Sequence, residues 1–373
     1  MMKIAIVTET FLPSTDGVVK RMVKALDYIM PLGEHEVLVI APGLHDLPDS
    51  YKGAKIVGVP VVDVPFYDAR PWSLPTGEVK NEFLAFQPDL VHAVNPISLG
   101  ASAVYYSQSL DIPLICSFHT NIPNYLDHYH LHFLKPIIWP YLRKLHNVAK
   151  INLVTSQAMY DLLDENRIER LEILPKGVDL DHLGSRFYSE EMRDLLSQGK
   201  KDKKILLFVG RLAPEKNVQS LKELLDERKD ICLAVVGDGP AKKELEEVFQ
   251  DYPVVFTGYL HGEELSSAFA SADAFIFPSQ SETLGLVITE AMASSLPVIA
   301  ATSPPSLEQI EDGKNGLIYD PDVEGSLSNC IDKLYDQELY QKLKKESIAY
   351  ASQFSWDYAG KAMLDAYIRA KNS

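Results

Sequence analysis

Two carboxylates, Glu282 and Glu290, mark the segment of the sequence that is richest in possible chemistry. A short apolar run ends at Phe277, a polar loop follows, and a helix is predicted to begin near 283–285. The first backbone N–H groups of such a helix lack intrahelical partners and lie at the positive end of its dipole, so they suit a phosphate. The residues that would supply these groups are Thr283, Leu284 and Gly285.

The two carboxylates suit sugars better than phosphate. Glu290 lies eight residues after Glu282, which corresponds to about 2.2 helical turns, so both are predicted to face one side. Carboxylates repel phosphate but accept hydrogen bonds from hydroxyls, which favours a sugar for Glu282 and a ribose for Glu290. The alternative is one glutamate that complements the helix dipole and a second that is merely solvated.

Cations that could bind phosphate stand after an earlier predicted strand. Arg211 and Lys216 lie in the segment Val-Gly-Arg-Leu-Ala-Pro-Glu-Lys, on a loop that is predicted to enter a helix. Arginine can fork across phosphate oxygens and lysine acts as a point charge, although an ordinary surface ion pair is the alternative. A second strand-to-helix turn, with glycines that permit tight backbone and a proline suited to the first helical position, comprises Gly237, Asp238, Gly239 and Pro240.

The N-terminal half contributes a second group of candidates. His119 follows a predicted strand and is expected to project into a ligand site, with a structural or capping histidine as the alternative. The first strand-to-helix loop contains a glycine at which backbone could approach a ligand closely. The candidates in this loop are Asp16, Gly17, Lys20 and Arg21.

These residues require a scaffold, and the sequence pattern predicts an α/β one. Near-continuous apolar runs alternate with helical segments, which is typical of a doubly wound parallel sheet. The pattern restarts after a charged, structure-poor stretch at 179–204. We therefore expect two Rossmann-like domains facing across a cleft, with a hinge near 178–203 and the ligand in the cleft. The expected domains are 1–178, joined by a C-terminal helix 357–373 that crosses back, and 179–356, with one long helix at 324–352.

Composition excludes several classes of function. The chain has 373 residues, 46% of them hydrophobic, and a net charge of −16, so general nucleic-acid binding is not expected. Residues 1–176 carry 15 basic and 19 acidic residues against 21 and 33 in the remainder. The N-terminal half can therefore approach an anionic surface more easily. Three scattered cysteines predict no disulfide framework, and the absence of a secretory signal or an 18-residue apolar stretch predicts a cytoplasmic protein.

The segment 127–150 combines four Lys or Arg, four His and a single acid with interleaved aromatic residues. This composition fits a helix that lies in a membrane interface, while a helical hairpin packed on the sheet is the ordinary alternative. The histidines at 128, 130 and 132 have alternating spacing and no carboxylate partner, which is poor evidence for a metal. No metal and no cofactor is expected.

Taken together, the motifs GRLAPEK, GDGP and PSQSETLGLVITEAMA resemble those of glycosyltransferase family 4, retaining enzymes of the GT-B fold. The resemblance covers nearly the whole chain. It implies that Arg211 and Lys216 bind the donor pyrophosphate, that Glu282 contacts the donor sugar, and that Glu290 contacts the ribose. It also implies that His119 lies at the C6 side of the donor sugar, so His119 and Glu282 are the expected catalytic residues.

Further stretches, among them SFHTNIPNYLDHYHLHFLKPIIWPYLRKLHNVA, are similar to the sulfoquinovosyltransferases that make sulfolipid in cyanobacteria and plastids. This similarity implies a UDP-sulfoquinovose donor, a diacylglycerol acceptor and contact with a membrane surface. Lys20, Arg21 and His119 are then candidates for binding the sulfonate.

The sequence departs from the family's usual motifs at 293–298 and at Pro304-Pro305. A glucosyl- or mannosyltransferase that uses UDP-glucose or GDP-mannose on a lipid or another acceptor stays open as the alternative, as does a non-catalytic nucleotide-sugar binder. A dehydrogenase is excluded because the first loop lacks the GxGxxG turn.

Overall fold

The computed structural model describes residues 1–62, 72–128 and 132–373. The chain divides into two compact units. The first unit combines Met1–Gly177 with Trp356–Ser373, and the second comprises Val178–Ser355. Each unit contains its own parallel sheet flanked by helices, so the chain has the predicted α/β class with two Rossmann-like folds.

The sheet of the first unit has eight described strands. They are β1 (Met2–Thr8), β2 (His35–Pro42), β3 (Ser50–Tyr51), β4 (Ala54–Val59), β5 (Leu90–Val94), β6 (Leu114–Phe118), β7 (Ile151–Val154) and β8 (Leu171–Ile173). Their order is β3-β4-β2-β1-β5-β6-β7-β8, and only β3 runs antiparallel to its neighbour. Alternate residues of β1 enter different apolar clusters, Ile4 and Ile6 one and Ala5 and Val7 the other. Both faces of this sheet are therefore covered, as continuous apolar strands predict.

Six helices lie in the described ranges of the first unit before the chain crosses into the second. They are α1 (Gly17–Ile29), α2 (Glu78–Phe86), α3 (Leu99–Ser109), α4 (Ile122–His128), α5 (Lys135–His146) and α6 (Gln157–Glu165). Helix α1 buries a stripe that includes Met22, Leu26 and Ile29. This spacing is the amphipathic period that the sequence predicts.

The sheet of the second unit has six described strands, all parallel. They are β9 (Lys204–Val209), β10 (Ile231–Val236), β11 (Val254–Gly258), β12 (Ala274–Phe277), β13 (Val298–Ala301) and β14 (Leu317–Tyr319). Their order is β11-β10-β9-β12-β13-β14. The strand order reverses at β9, and the loops after β9, β10 and β12 carry the candidate motifs. In open parallel sheets of this kind, ligands bind at the carboxyl ends of strands near such a reversal.

The helices of the second unit correct two predictions. They are α7 (Glu190–Ser197), α8 (Leu221–Glu227), α9 (Lys242–Val248), α10 (Gly262–Ser271), α11 (Leu286–Ala293), α12 (Pro304–Gln309), α13 (Ser326–Lys333) and α14 (Gln337–Ala351). The stretch at 179–204 is not structure-poor, because it contains α7, whose Leu196 joins the core with Val178 and Leu183. The single helix at 324–352 is also wrong, since the Asp336 carboxylate caps a new helix by accepting from two backbone N–H groups.

Short 3-10 turns connect several of these elements, at Met30–Leu32, His132–Leu134, Ser185–Phe187, Pro214–Lys216 and Val218–Ser220. The last helix, α15 (Trp356–Lys371), belongs to the first unit and packs against α1. Its Met363, Leu364 and Tyr367 lie in the same apolar cluster as β1. The C-terminal segment thus completes the core of the first unit. None of the helices within the described ranges is long and apolar enough to cross a bilayer.

Candidate functional site

The loop after β9 carries the two predicted phosphate-binding cations. Arg211 follows the strand, and Lys216 closes the 3-10 turn Pro214–Lys216. The Arg211 guanidinium donates to the carboxylate of Glu215, whose side chain is only 1% exposed. Because a buried carboxylate is costly without a cation beside it, Glu215 anchors Arg211 in this loop.

Lys216 and Glu282 are in direct contact. The Lys216 ammonium donates to the Glu282 carboxylate, and the two side chains are 15% and 17% exposed. Two serines hold the Glu282 loop against the turn, since the Ser279 and Ser281 hydroxyls donate to the Glu215 carbonyl oxygen at 3.1 and 3.0 Å. The predicted phosphate-binding cation and the predicted sugar-binding carboxylate therefore lie together. The bracing serines were not predicted, although they stand inside the motif.

The loop before α11 ends in a sharp turn at Gly285. This residue caps the helix in the left-handed region, with φ of 74°, and the helix begins only at Leu286. The predicted start near 283–285 therefore precedes the observed start by one to three residues, and Thr283 and Leu284 remain in the loop. The Leu284 carbonyl accepts a hydrogen bond from the Gln309 side-chain amide of α12, which fixes the turn from outside.

Glu290 lies in the second turn of α11 and is buried, with 9% of its surface exposed. Glu282 precedes the helix, so the prediction that a helical spacing of about 2.2 turns relates the two carboxylates is wrong. The loop geometry, rather than the helical period, sets the relative position of the two glutamates.

Pro304 and Pro305 form the first turn of α12, directly after the Ser303 cap. A missing N–H at these positions removes no helical hydrogen bond.

The glycines of the 237–240 turn are required by a close backbone contact. The Leu212 N–H donates to the Asp238 carbonyl at 2.9 Å, which ties this turn to the loop after β9. A Cβ atom on Gly237 would lie 1.9 Å from the Gly210 oxygen, and one on Gly239 would lie 2.3 Å from the Leu212 oxygen. The φ angles of 139° and 156° also disfavour any side chain. The GDGP motif therefore supports the loop that carries Arg211.

Asp238 itself forms a local ion pair. Its carboxylate lies 2.8 Å from the Lys242 ammonium, and this hydrogen bond lowers the pKa of Asp238. Pro240 does not occupy the first helical position, because α9 begins at Lys242 with Ala241 as its cap. The proline stands one residue ahead of the cap and ends the turn instead.

In the first unit, His119 follows β6 and is buried, with 7% of its surface exposed. Its Nε2 atom lies 2.8 Å from Ser117 Oγ, and its backbone N–H donates to Asn95 Oδ1 at 3.3 Å. Burial is the main cause that lowers the pKa of His119 well below its usual range, and the positive charge of Arg21 acts in the same direction. The imidazole is therefore neutral at pH 7 and offers a hydrogen bond, not a charge.

Arg21 is the unusual cation of the first unit. It lies in α1, is 3% exposed, and donates from Nη1 to the Pro175 carbonyl at 2.9 Å. Its Nη2 atom is buried and has no hydrogen-bond partner within the described ranges. Burial lowers the pKa of Arg21 to about 10, which still leaves the guanidinium charged at pH 7. A buried cation with an unused N–H pair suits an anionic ligand.

The remaining residues of the first loop have structural positions. The Asp16 carboxylate caps α1 by accepting from the N–H groups of Val18 and Val19 at 2.9 and 3.0 Å. Gly17 is the first residue of α1, and Lys20 lies half-buried one turn into it. The Lys20 backbone N–H donates to the Asp16 carbonyl at 2.9 Å, so Asp16 fixes the first turn of α1 and with it the positions of Lys20 and Arg21.

Sequence reasoning missed Glu9. Its carboxylate accepts from the backbone N–H groups of Ile97, Ser98, Leu99 and Gly100 at 2.8–3.2 Å, so it occupies the start of α3. Burial raises the pKa of Glu9, and the four backbone donors oppose that shift. An acid directly after the first strand could have signalled this capping role.

The basic and aromatic segment at 127–150 is only partly described. Tyr129, His130 and Leu131, which belong to the predicted histidine-rich stretch, lie outside the described residues. Around the start of α5, Phe133 is 62% exposed and Ile137 66%. Among the residues that the structure describes, no group of three or more His, Cys, Asp or Glu could hold a metal ion.

Two family models match the chain along most of its length. Residues 16–182 match "Glycosyltransferase Family 4", and residues 193–353 match "Glycosyl transferases group 1". The chain therefore belongs to the family 4 glycosyltransferases of the GT-B fold. HepE from Anabaena, solved in complex with UDP-glucose, has the same GT-B fold, with a TM-score of 0.79 at 20% identity over 98% of this chain and 99% of that one.

Several relatives of established activity are similar to this chain. Sulfoquinovosyl transferase SQD2 from Arabidopsis thaliana is 35% identical over 91% of this chain and 68% of its own. A GDP-mannose-dependent alpha-mannosyltransferase from Corynebacterium glutamicum is 33% identical over 98% and 88%. The alpha-monoglucosyldiacylglycerol synthase of Streptococcus pneumoniae is 29% identical over 88% and 78%. The chain is thus similar to transferases of more than one hexose.

Proposed function

We propose that this protein transfers sulfoquinovose from UDP-sulfoquinovose to diacylglycerol with retention of configuration, which forms the sulfolipid sulfoquinovosyl diacylglycerol. The observation that carries the proposal is the contact of Lys216 with Glu282, next to the anchored Arg211. This arrangement combines cations for a diphosphate with a carboxylate for a sugar. The similarity to SQD2 supports sulfoquinovose, and the similarity to the monoglucosyldiacylglycerol synthase supports a diacylglycerol acceptor.

Donor binding is assigned to the second unit. The diphosphate replaces Glu282 as the partner of Lys216, because phosphate oxygens offer the ammonium more negative charge than one carboxylate. Glu282 is then released to accept from hydroxyls of the donor sugar, and Glu290 accepts from the ribose. Arg211 and the backbone of Thr283, Leu284 and Gly285 complete the phosphate site, while the 237–240 turn supports it from the nucleotide side. These groups stabilise the charge that develops on the leaving UDP.

The chemical step needs no separate general base. The acceptor hydroxyl attacks the anomeric carbon from the face that UDP leaves, so a new C–O bond forms as the bond from carbon to the phosphate oxygen breaks. The hydroxyl proton passes to an oxygen of the departing β-phosphate. His119 is neutral and donates a hydrogen bond to the C6 side of the sugar rather than accepting the proton.

Specificity for the sulfonate is assigned to the first unit. Arg21 is the strongest candidate, since its Nη2 group is buried and unpartnered within the described ranges. Lys20 adds positive charge on the same helix, and His119 adds a neutral N–H donor. A sulfonate accepts several such hydrogen bonds at once, whereas the hydroxymethyl group of glucose carries no charge to match Arg21.

Contact with a membrane is assigned to the segment around α5. Phe133 and Ile137 are exposed apolar side chains, and Arg143 and Lys144 stand in the last turn of the helix. Apolar groups beside basic ones favour the interface of an anionic bilayer, where diacylglycerol resides. The protein would then work at the membrane surface as a peripheral enzyme.

A second donor remains a specific competitor. The mannosyltransferase similarity extends over 98% of the chain, further than that of SQD2, and favours GDP-mannose as an alternative donor. The similarity to the monoglucosyldiacylglycerol synthase favours UDP-glucose as another. Purified protein should be incubated with diacylglycerol vesicles and each of the three donors, with lipid products separated by chromatography. Formation of an anionic glycolipid from UDP-sulfoquinovose alone supports the proposal. Transfer from UDP-glucose or GDP-mannose without transfer from UDP-sulfoquinovose refutes it.

A further inference from the structure

A chain of four buried polar side chains runs through the first unit to His119. Tyr367 Oη lies 2.7 Å from His92 Nδ1, and His92 Nε2 lies 2.7 Å from Ser117 Oγ. Ser117 Oγ in turn lies 2.8 Å from His119 Nε2. Tyr367, His92 and Ser117 are each fully buried, so this chain excludes water at every described link. It joins the C-terminal helix α15 to the end of β6.

Hydrogen-bond accounting gives the chain one direction. The Tyr367 hydroxyl has His92 Nδ1 as its single partner within the described ranges, so the phenolic proton must be donated there. His92 then carries its own proton on Nε2 and donates it to Ser117 Oγ. The Ser117 hydroxyl proton is left to point at His119 Nε2. The opposite direction would leave the buried Tyr367 proton without an acceptor.

The consequence falls on His119. Since its Nε2 accepts from Ser117, a neutral His119 must carry its proton on Nδ1. Burial lowers the pKa of His92 to about 3 and raises that of the Tyr367 phenol, so both remain neutral across the working range of pH. The direction of the chain is therefore preserved between mild acid and mild base.

We propose that Tyr367, His92 and Ser117 are positioning residues that hold His119 in the Nδ1–H tautomer, so that it donates a hydrogen bond to an oxygen of the donor sugar. The ligand class is an oxygen that can accept a hydrogen bond, such as a sulfonate oxygen or the oxygen of a sugar hydroxyl. This role of His119 rests on the proposed function, but its tautomer does not. The C-terminal helix thereby controls the position of a proton 248 residues away in sequence, between Tyr367 and His119.

The tautomer can be observed without any substrate. Protein labelled with nitrogen-15 in histidine should show, for His119, a protonated Nδ1 and an unprotonated Nε2 in long-range proton–nitrogen spectra, with the signal assigned by its loss in His119→Asn. Tyr367→Phe removes the proton that orients His92, and we expect the His119 signals to move towards a mixture of tautomers. A proton on Nε2 in the unaltered protein, or unchanged His119 signals in Tyr367→Phe, overturns the proposal.

A matched pair of controls separates this effect from a loss of packing. Tyr319→Phe changes a second buried tyrosine, which lies in the second unit and is 4% exposed. Ser107→Ala removes a buried hydroxyl of the first unit that donates to the Val104 carbonyl. Both should leave the His119 signals in place. Ser117→Ala breaks the last link directly and should disturb them as Tyr367→Phe does. If Ser107→Ala disturbs them equally, the chain has no specific role.

Kinetics give the second readout. Tyr367→Phe and Ser117→Ala should lower kcat/KM for the sugar donor on the order of 5- to 30-fold, the loss of one aligned hydrogen bond, with the affinity for UDP alone unchanged by calorimetry. Equal kcat/KM in the variants and the unaltered protein contradicts the proposal. If the unaltered protein transfers no sulfoquinovose, the proposed function fails, whereas the nuclear magnetic resonance result still decides the tautomer.

Discussion

The two units hold their candidate residues by opposite electrostatic means. In the second unit every key cation contacts a carboxylate, Arg211 with Glu215 and Lys216 with Glu282. In the first unit the candidate residues are neutral, buried histidines and Arg21, which donates to a backbone carbonyl rather than to a carboxylate. The second unit therefore offers ion pairs whose partners can be exchanged, whereas the first unit offers hydrogen-bond donors of fixed direction.

This contrast suits two different tasks. A diphosphate arrives with several charges, and an ion pair can exchange one partner for another at little electrostatic cost. Recognition of an uncharged sugar, or of a single anionic group on it, depends on donors of fixed orientation. The variants below therefore remove charge from the second unit and direction or charge from the first.

The largest effect is expected from Lys216→Ala. This change removes the cation assigned to the diphosphate and leaves Glu282 to repel it, so kcat/KM for the donor should fall about 10²- to 10³-fold. Steady-state kinetics with the best donor and calorimetry with UDP provide the measurement. Lys222→Ala is the control, because Lys222 forms an exposed ion pair with Asp226 in the same unit. A loss of less than threefold for Lys216→Ala would place the diphosphate elsewhere.

Glu282→Gln should have the next largest effect. The amide keeps the shape of the side chain but loses the charge that accepts strong hydrogen bonds from sugar hydroxyls, so kcat/KM should fall about 10- to 100-fold. UDP, which lacks the sugar, should bind at least as tightly as before because Lys216 loses a competing partner. Calorimetry with UDP checks this sign, and weaker UDP binding would show that Glu282 supports the phosphate site instead.

Arg21→Gln tests whether the buried cation of the first unit recognises the anionic group of the donor sugar. Removal of the buried charge should reduce kcat/KM about tenfold more for UDP-sulfoquinovose than for UDP-glucose, since only the first carries an anion at C6. Parallel assays with both donors give the ratio, and Arg167→Gln in the same unit provides a surface control. An equal loss with both donors would mean that Arg21 only maintains the structure.

Much of the scaffold was predictable because its physical signal is local. Apolar runs such as 231–236 and 274–277 are continuous since both sheet faces are covered, and they appear as strands β10 and β12. The two-residue strand β3 leaves no periodic signal, and the break in the long helix at Asp336 depends on a capping side chain. Boundaries failed where one backbone residue decides them, as the left-handed Gly285 does at α11.

Of the candidate site, only the charged loop residues could be predicted from the sequence. Charged residues in loops, such as Lys216 and Glu282, stand out in type and position. The residues that orient them do not, because Gln309 reaches the loop from another helix and Tyr367 reaches His92 across 275 positions of sequence. Polar residues inside apolar strands, as with His92 in β5 and Ser117 in β6, were the available signal for this buried network.

Acidification should have the smallest effect per residue, and it should lower the stability of the first unit more than that of the second. Burial lowers the pKa of His92 to about 3 and that of His146 to about 4, and it lowers that of His119 as well. The unfolded chain then binds more protons than the folded one below pH 6.5, so stability is complete above that pH and is lost as pH falls.

Each of these histidines should lower the free energy of unfolding by about 1 kcal/mol at pH 5.5, and Glu9 acts in the opposite sense because its pKa is raised. The second unit contains only the exposed His182 and His261. Hydrogen exchange by mass spectrometry at pH 7.0 and 5.5, corrected for intrinsic rates, should therefore show lost protection in β5 and β6 before β10. Equal losses in the two units would mean that buried histidines do not distinguish them.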